Sequence, residues 1–407
     1  MFLNKTTLIP NQTIQITGSK SEANRLLILR QLFEGLEIKN LSNAQDTQLL
    51  QKALAETSDI VDIHHAGTAM RFLTSYFAIC TEKKIILTGS ERMKQRPIKP
   101  LVDALRTLGA EIEYMENEGF PPLKIIGKEI EKNNVKISAN ISSQFITSLL
   151  LIGGKLKNGL EIELLGEITS RPYLEMTLSL LKEVGIENSF IDNKILIQHF
   201  SPKKINPNIT LHVESDWSSA SYFYSLAAIG REPIRLKTFK NASLQGDSVI
   251  TEIYDEIFGI ETRFNENEIL LLPRKKIQFP PTIELNMNNC PDIAQTIAVT
   301  ATALKIPFHI VGLATLKVKE TDRLVALQNE LEKIGMRTEI THESITSTEF
   351  VTPHEHISIA TYNDHRMAMS FAPYVLIGAI EIQNPEVVEK SYPDFWKDFH
   401  TLTSKNT

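Results

Sequence analysis

Two periodicities run through this chain. Short stretches in which apolar and polar residues alternate, such as Lys84-Ile-Ile-Leu-Thr88 and Leu160-Glu-Ile-Glu-Leu164, predict half-buried strands. Longer stretches with an apolar face, such as Tyr222-Phe-Tyr-Ser-Leu-Ala-Ala228, predict helices. The two alternate from end to end, so the class is mixed α/β. The order of elements also recurs six times: polar turn, apolar helix, strand, second polar turn, second helix and usually a hairpin. Glycines that close the second helices mark the repeat most clearly. They end Leu105-Arg-Thr-Leu-Gly109, Leu181-Lys-Glu-Val-Gly185, Tyr254-Asp-Glu-Ile-Phe-Gly259 and Leu331-Glu-Lys-Ile-Gly335, at spacings of 76, 74 and 76 residues. Glycine is the usual left-handed helix cap.

The turns that open the helices carry the chemistry. First helices open with Gly18-Ser-Lys-Ser, Ala66-Gly-Thr-Ala-Met-Arg71, Ser142-Ser-Gln144, Asp216-Trp-Ser-Ser, Cys290-Pro-Asp292 and Asn363-Asp-His-Arg366. Second helices open around Gln45-Asp-Thr47, Arg92-Met-Lys-Gln-Arg-Pro97, Thr169-Ser-Arg-Pro-Tyr173, Ser243-Leu-Gln-Gly-Asp247, Lys319-Glu-Thr-Asp-Arg323 and Glu389-Lys-Ser-Tyr-Pro393. Ser, Thr and Asp are ordinary caps. Cations are not: Lys20, Arg71, Arg96, Arg171, Lys319 and Lys390 fall at or near predicted helix starts, where a positive charge opposes the helix dipole unless an anion is held there. The repetition points to an anionic ligand.

Composition narrows the class. A chain of 407 residues suits two domains, and three repeats in each place the boundary near Leu211-His-Val-Glu214. The net charge of −6 argues against a general nucleic-acid binder, so the cations are local. Two cysteines, Cys80 and Cys290, exclude a disulfide framework and suit a reducing compartment. Neither a membrane-length apolar run nor a signal-like N-terminus is present, so the cytoplasm is expected. The adjacent His64 and His65 lack a further ligand at metal spacing, so no metal is expected.

Taken together, Gly18-Ser-Lys-Ser with Asn24-Arg25, Ala66-Gly-Thr-Ala-Met-Arg71, Arg96-Pro-Ile98, Ser142-Ser-Gln144, Lys319-Glu-Thr-Asp-Arg323 and Asn363-Asp-His-Arg366 closely resemble the 5-enolpyruvylshikimate-3-phosphate synthase family. The resemblance spans nearly the whole chain. It implies two globes, each of three βαβαββ units about a pseudo-threefold axis. One globe would comprise residues 20–214 and the other 1–19 with 215–407, with the active site in a cleft between them. It implies transfer of the enolpyruvyl group of phosphoenolpyruvate to the 5-hydroxyl of shikimate 3-phosphate, without cofactor or metal, by a monomer.

The same resemblance implies roles for particular residues. Lys20, Ser21, Arg25, Ser142, Ser143, Gln144, Ser170, Tyr173, Asp292 and Lys319 would hold shikimate 3-phosphate. Lys20, Gly67, Arg96, Gln144, Arg323, His365, Arg366 and Lys390 would cage phosphoenolpyruvate. Asp292 would meet the target hydroxyl, Glu320 would protonate and deprotonate the methylene carbon, and Lys20 would assist. Each has a plainer reading. Ser142 and Ser143 are natural caps, Asp292 suits a turn, and Glu320 could simply pair with Arg323 three positions on.

Departures from the family pattern are specific. His65 and Thr315 stand where asparagine is usual, and Phe72 where proline is common. The segment from Asp46 to Gly67 is too short for the usual hairpin. The loop before Arg96-Pro97 has no cysteine, which disfavours the related enolpyruvyl transferase acting on UDP-N-acetylglucosamine. A catalytically degenerate sugar-phosphate-binding paralogue is the alternative of another class. For glyphosate, which competes for the phosphoenolpyruvate site in many members, Gly67 favours sensitivity and Phe72, by shifting the helix that carries Gly67, opposes it.

Overall fold

The computed structural model describes residues 1–140, 142–200, 202 and 204–403. Contacts divide the chain into two compact units, one formed by Met1–Thr17 with Glu214–Thr407 and the other by Gly18–Val213.

Four sheets share one strand order. In the unit 18–213, Ile60–Asp62, Lys84–Thr88, Leu123–Ile126 and Glu111–Tyr114 lie side by side, as do Asn134–Ser138, Leu160–Leu165, Lys194–Ile197 and Asn188–Ile191. In the other unit the sets are Thr13–Gln15, Ile234–Lys237, Glu268–Pro273 and Ile260–Asn265, then Ile283–Asn286, Phe308–Val311, Ile345–Phe350 and Met336–Ile340. In every set the first two strands are parallel and the last two form an antiparallel hairpin laid against the second. A parallel pair needs a crossover, and the first helix of each repeat supplies it.

The two chain crossings exchange strands between repeats. Thr13–Gln15 pairs with Ile234–Lys237, and Lys204–His212 pairs in parallel with Glu34–Lys39. After the helix Gln45–Ala55 the chain reaches Ile60–Asp62 within a few residues. Glu34–Lys39 therefore has Lys204–His212 as its strand partner and no hairpin among the described residues.

First and second helices bury differently. Trp217–Gly230, Ala294–Ala303 and His365–Phe371 are buried almost all round, as are Gly67–Ala78 and Ser143–Gly153 in the other unit. Lys99–Leu108 instead buries one stripe, Leu101, Val102, Ala104, Leu105 and Leu108, and leaves Asp103, Arg106 and Thr107 exposed. The closing glycines Gly109, Gly185, Gly259 and Gly335 all have φ between 63° and 112°, a region that penalises any side chain.

Hydroxyls join the inner helices of unit 1–17/214–407. Thr296 Oγ1 lies 3.0 Å from Ser221 Oγ and 3.2 Å from Ser370 Oγ, bringing together one residue from each of the three first helices. In the other unit Ser75 and Ser148 meet at 2.6 Å, and Ser148 donates to the Arg71 carbonyl at 2.5 Å. Such pairs satisfy polar groups that water does not reach. Thr296→Val keeps the shape but removes the partner of the Ser370 hydroxyl and one of the two partners of the Ser221 hydroxyl, which also donates to the Ser218 carbonyl, so urea unfolding should show a loss of about 1–3 kcal/mol. An unchanged midpoint would mean that the three hydroxyls do not act as a unit.

Candidate active site

The cationic turns resolve into two clusters, one in each unit. In the unit 18–213, Ser19 caps the helix Lys20–Leu32, so Lys20 and Ser21 occupy its first turn. Lys20 Nζ reaches Asp46 Oδ2 at 3.2 Å, and His65 Nε2 stands 3.8 Å from the other Asp46 oxygen. Arg25 is buried and donates to Thr177 Oγ1 (2.8 Å), Ser21 O (2.7 Å), Tyr173 O (3.1 Å) and Thr147 Oγ1 (3.4 Å). It therefore acts as a post that fixes Ser21 and Tyr173. Burial draws its guanidinium down to about 10. Ser170, in the left-handed region at φ 55°, caps the helix Arg171–Glu183, and its carbonyl accepts from Tyr173 N.

Gly67 begins the helix Gly67–Ala78, and its carbonyl accepts from Arg71 Nη1 at 2.9 Å. A Cβ on Gly67 would lie 2.5 Å from Arg96 Nη1 and 2.8 Å from Arg71 Nη1. A methyl there would push aside the ends of two arginine side chains that close over the backbone. Ser142 caps Ser143–Gly153 by accepting from Gln144 N, while Gln144 Nε2 donates to Thr68 Oγ1 at 3.3 Å. Phe72 is buried with the Arg25 guanidinium 5.8 Å from its ring.

The second cluster lies in unit 1–17/214–407. Arg323, only 2% exposed, donates to Asp292 Oδ1 (2.9 Å), Glu320 Oε2 (2.8 Å) and Asp364 Oδ2 (2.6 Å). Arg366 Nη2 reaches Asp292 Oδ2 at 3.2 Å, Arg366 Nη1 donates to the Asp292 carbonyl at 3.0 Å, and Lys319 Nζ lies 3.4 Å from Asp292 Oδ1. Lys390 Nζ meets Glu320 Oε1 at 2.6 Å. His365 is buried at the start of His365–Phe371, its Nδ1 3.7 Å from Asp364 Oδ1. Thr315 sits in the 3-10 turn Ala314–Val318.

These contacts set the protonation states. Burial alone would push the Asp292 carboxyl up, but Arg366, Lys319 and Arg323 together hold it well below the usual carboxylate range. Burial lowers Lys319, partly offset by Asp292. Arg323 is raised, because Asp364, Glu320 and Asp292 outweigh its desolvation. Asp247, at the end of Ser243-Leu-Gln-Gly-Asp247, is 2% exposed. Burial and then the neighbouring Asp292 charge push it to about 6. Cys290 is buried beside these acids and pushed to about 12, a thiol unsuited to nucleophilic work.

Several expectations about the turns need correction. Arg96 lies between the short helix Glu91–Lys94 and Lys99–Leu108, Lys319 precedes the cap Asp322, and Lys390 ends the 3-10 turn Pro385–Lys390 before Phe395–Leu402. Arg171 does open a helix, yet it pairs with Glu175 at 2.8 Å and stacks 4.1 Å from the Phe190 ring centroid, so it needs no ligand. The acids that clamp cations directly, Asp46 and Asp364, and Asp247, which reaches Arg366 through Ser218, were visible only as members of capping turns. Nothing in their spacing distinguishes them from ordinary caps.

A model of the EPSP synthase (3-phosphoshikimate 1-carboxyvinyltransferase) family matches residues 49–399. The chain belongs to the EPSP synthase family. A 3-phosphoshikimate 1-carboxyvinyltransferase of Bacteroides fragilis strain YCH46 is 44% identical over 391 residues, covering 95% of this chain and 94% of that protein. One from Haemophilus influenzae Rd is 36% identical over 445 aligned positions, covering 99% of this chain and all of that protein. The fold matches an EPSP synthase from Acinetobacter baumannii with a TM-score of 0.75 at 20% identity, covering 99% of this chain and 98% of that one. The enolpyruvyl transferase NikO from Streptomyces tendae matches with a TM-score of 0.74 at 12% identity, covering 99% of each chain. No helix among the described residues of this EPSP synthase family member is long and apolar enough to cross a membrane.

The raised Asp247 carboxyl makes a prediction about stability. With its folded pKa near 6 and an unfolded value of about 3.9, Asp247 favours folding below about pH 4 and loses that contribution as pH rises through 6. Asp247→Asn removes the penalty. Its unfolding free energy relative to the parent should improve by roughly 2 kcal/mol between about pH 4 and pH 8. A difference that does not vary with pH would contradict the raised value.

Proposed function

We propose that this chain transfers the enolpyruvyl group of phosphoenolpyruvate to the 5-hydroxyl of shikimate 3-phosphate, releasing inorganic phosphate through a tetrahedral addition–elimination intermediate. The observation that carries the reading is a pair of carboxylates, Asp292 and Glu320, each clamped by cations and linked through Arg323. Substrates bearing phosphate and carboxylate groups supply competing anions for those cations.

Asp292 accepts the hydroxyl proton as the oxygen attacks the central carbon of phosphoenolpyruvate. Glu320 gives a proton to the methylene carbon and takes one back as the C–O bond to phosphate breaks. Lys20 assists as acid or electrostatic stabiliser. Shikimate 3-phosphate is held by Lys20, Ser21, Arg25, Ser142, Ser143, Gln144, Ser170, Tyr173, Asp292 and Lys319. Phosphoenolpyruvate is held by Lys20, Gly67, Arg96, Gln144, Arg323, His365, Arg366 and Lys390. A carboxylate held as low as Asp292 is a weak base. Substrate anions that draw Lys319 and Arg366 away from it raise its basicity when the hydroxyl arrives, so binding prepares the base.

Mixing the two substrates should release phosphate, whereas UDP-N-acetylglucosamine in place of shikimate 3-phosphate should release none. A degenerate binding protein would release none with either. Asp292→Asn and Glu320→Gln should each lower turnover by about a hundredfold or more. Glu320→Gln should slow exchange of the methylene protons with solvent directly, whereas Asp292→Asn should chiefly impair attack by the hydroxyl. Normal turnover and exchange in Glu320→Gln would reduce Glu320 to a structural partner of Arg323.

Gly67→Ala should raise the KM for phosphoenolpyruvate several-fold, because the methyl displaces the Arg96 guanidinium. The KM for shikimate 3-phosphate should barely move. Equal losses for both substrates would overturn the assignment of Arg96.

A further inference from the structure

Behind Arg366 lie two polar side chains, Ser218 and Asp247, that none of the assigned roles uses. Ser218, in the first turn of Trp217–Gly230, donates its hydroxyl proton to Asp247 Oδ2. Its oxygen in turn accepts from Arg366 Nη2 at 3.4 Å, and the same Nη2 reaches Asp292 at 3.2 Å. The four residues come from the helix-opening turns of three repeats: Ser218 and Asp247 from one, Asp292 from the next and Arg366 from the last. Asp247 is buried in the 3-10 turn Gly246–Val249, and its second oxygen has no hydrogen-bond donor among the described residues.

A serine hydroxyl has one proton, and its direction decides what the oxygen offers. While Asp247 takes that proton, the lone pairs of Ser218 face the guanidinium. Without Asp247 the hydroxyl is free to turn its proton toward Arg366, which has no acceptor for it.

We propose that Asp247 is a positioning residue for Arg366. Acting through the Ser218 hydroxyl, it holds the guanidinium in the orientation that receives the phosphoenolpyruvate anion. The proposal rests on the assignment of Arg366 to phosphoenolpyruvate. The raised pKa of Asp247 supports it, since a buried carboxyl that shares space with Asp292 is costly as a mere structural filler.

Steady-state kinetics on the full chain provide the test. Asp247→Ala should raise the KM for phosphoenolpyruvate about tenfold, with kcat within about threefold and the KM for shikimate 3-phosphate unchanged. Ser218→Ala should do the same, and the double variant should be no worse than either single one, because both break one chain. Asp247→Asn, whose amide oxygen still accepts the hydroxyl proton, should recover most of the affinity. Multiplying effects in the double variant, or equal losses for both substrates, would overturn the proposal. Arg366→Gln separates the two levels of inference. If it weakens phosphoenolpyruvate binding while Asp247→Ala and Ser218→Ala do not, the positioning role alone fails. If it leaves that binding unchanged, the assignment of Arg366 fails and the proposal with it.

Discussion

Arg323 is the constraint around which the chemistry of unit 1–17/214–407 is arranged. A guanidinium with 2% exposure survives only if its donors are matched, and Asp292, Glu320 and Asp364 match them from three directions. Each of those carboxylates then needs further support. Asp364 takes it from the Arg366 amide as a helix cap, Glu320 from Lys390, and Asp292 from Lys319 and Arg366. Removing Arg323 would take an ionic partner from three carboxylates at once. The residues proposed to hold the substrates are therefore largely the ones that hold one another.

That economy has a chemical consequence. The cations proposed to grip phosphate and carboxylate are held by protein carboxylates, and those pairs keep Asp292 too acidic to act as a strong base. In the proposed mechanism, exchange of protein anions for substrate anions is coupled to activation. The unit 18–213 repeats the theme, with Lys20 on Asp46, and with Arg71 and Arg96 closed over Gly67.

The architecture was legible because the local signals agree with one another. Four glycines after amphipathic runs predicted four left-handed caps, and all four are present. Alternation at Lys84–Thr88 and Leu160–Leu165 identified strands whose buried residues are the alternate ones. The absence of a hairpin after Gln45–Ala55 followed from length alone. Helix starts in the second turns were less legible. Lys319, Arg96 and Lys390 lie in 3-10 or irregular backbone before the helix proper, and such backbone has no periodicity to read.

Within the candidate site, sequence exposed the cations and the two central carboxylates but not the acids that support them directly or through Ser218. Asp46, Asp364 and Asp247 look like capping residues, and Asp364 is one. Their partners are 26, 41 and 29 positions away in sequence, at Lys20, Arg323 and Ser218, distances at which spacing carries no information. The substitution of His65 for asparagine was visible, while its approach to Asp46 emerged only in three dimensions. The protonation of Asp292 is the most direct probe of the whole account. Carboxyl-labelled aspartate NMR, with the resonance assigned through Asp292→Asn, should show Asp292 still ionised at about pH 4 in the free protein, and a higher titration midpoint once shikimate 3-phosphate and an unreactive phosphonate analogue of phosphoenolpyruvate are bound. A midpoint near the ordinary aspartate value in the free protein, or one that ligands leave unmoved, would contradict it.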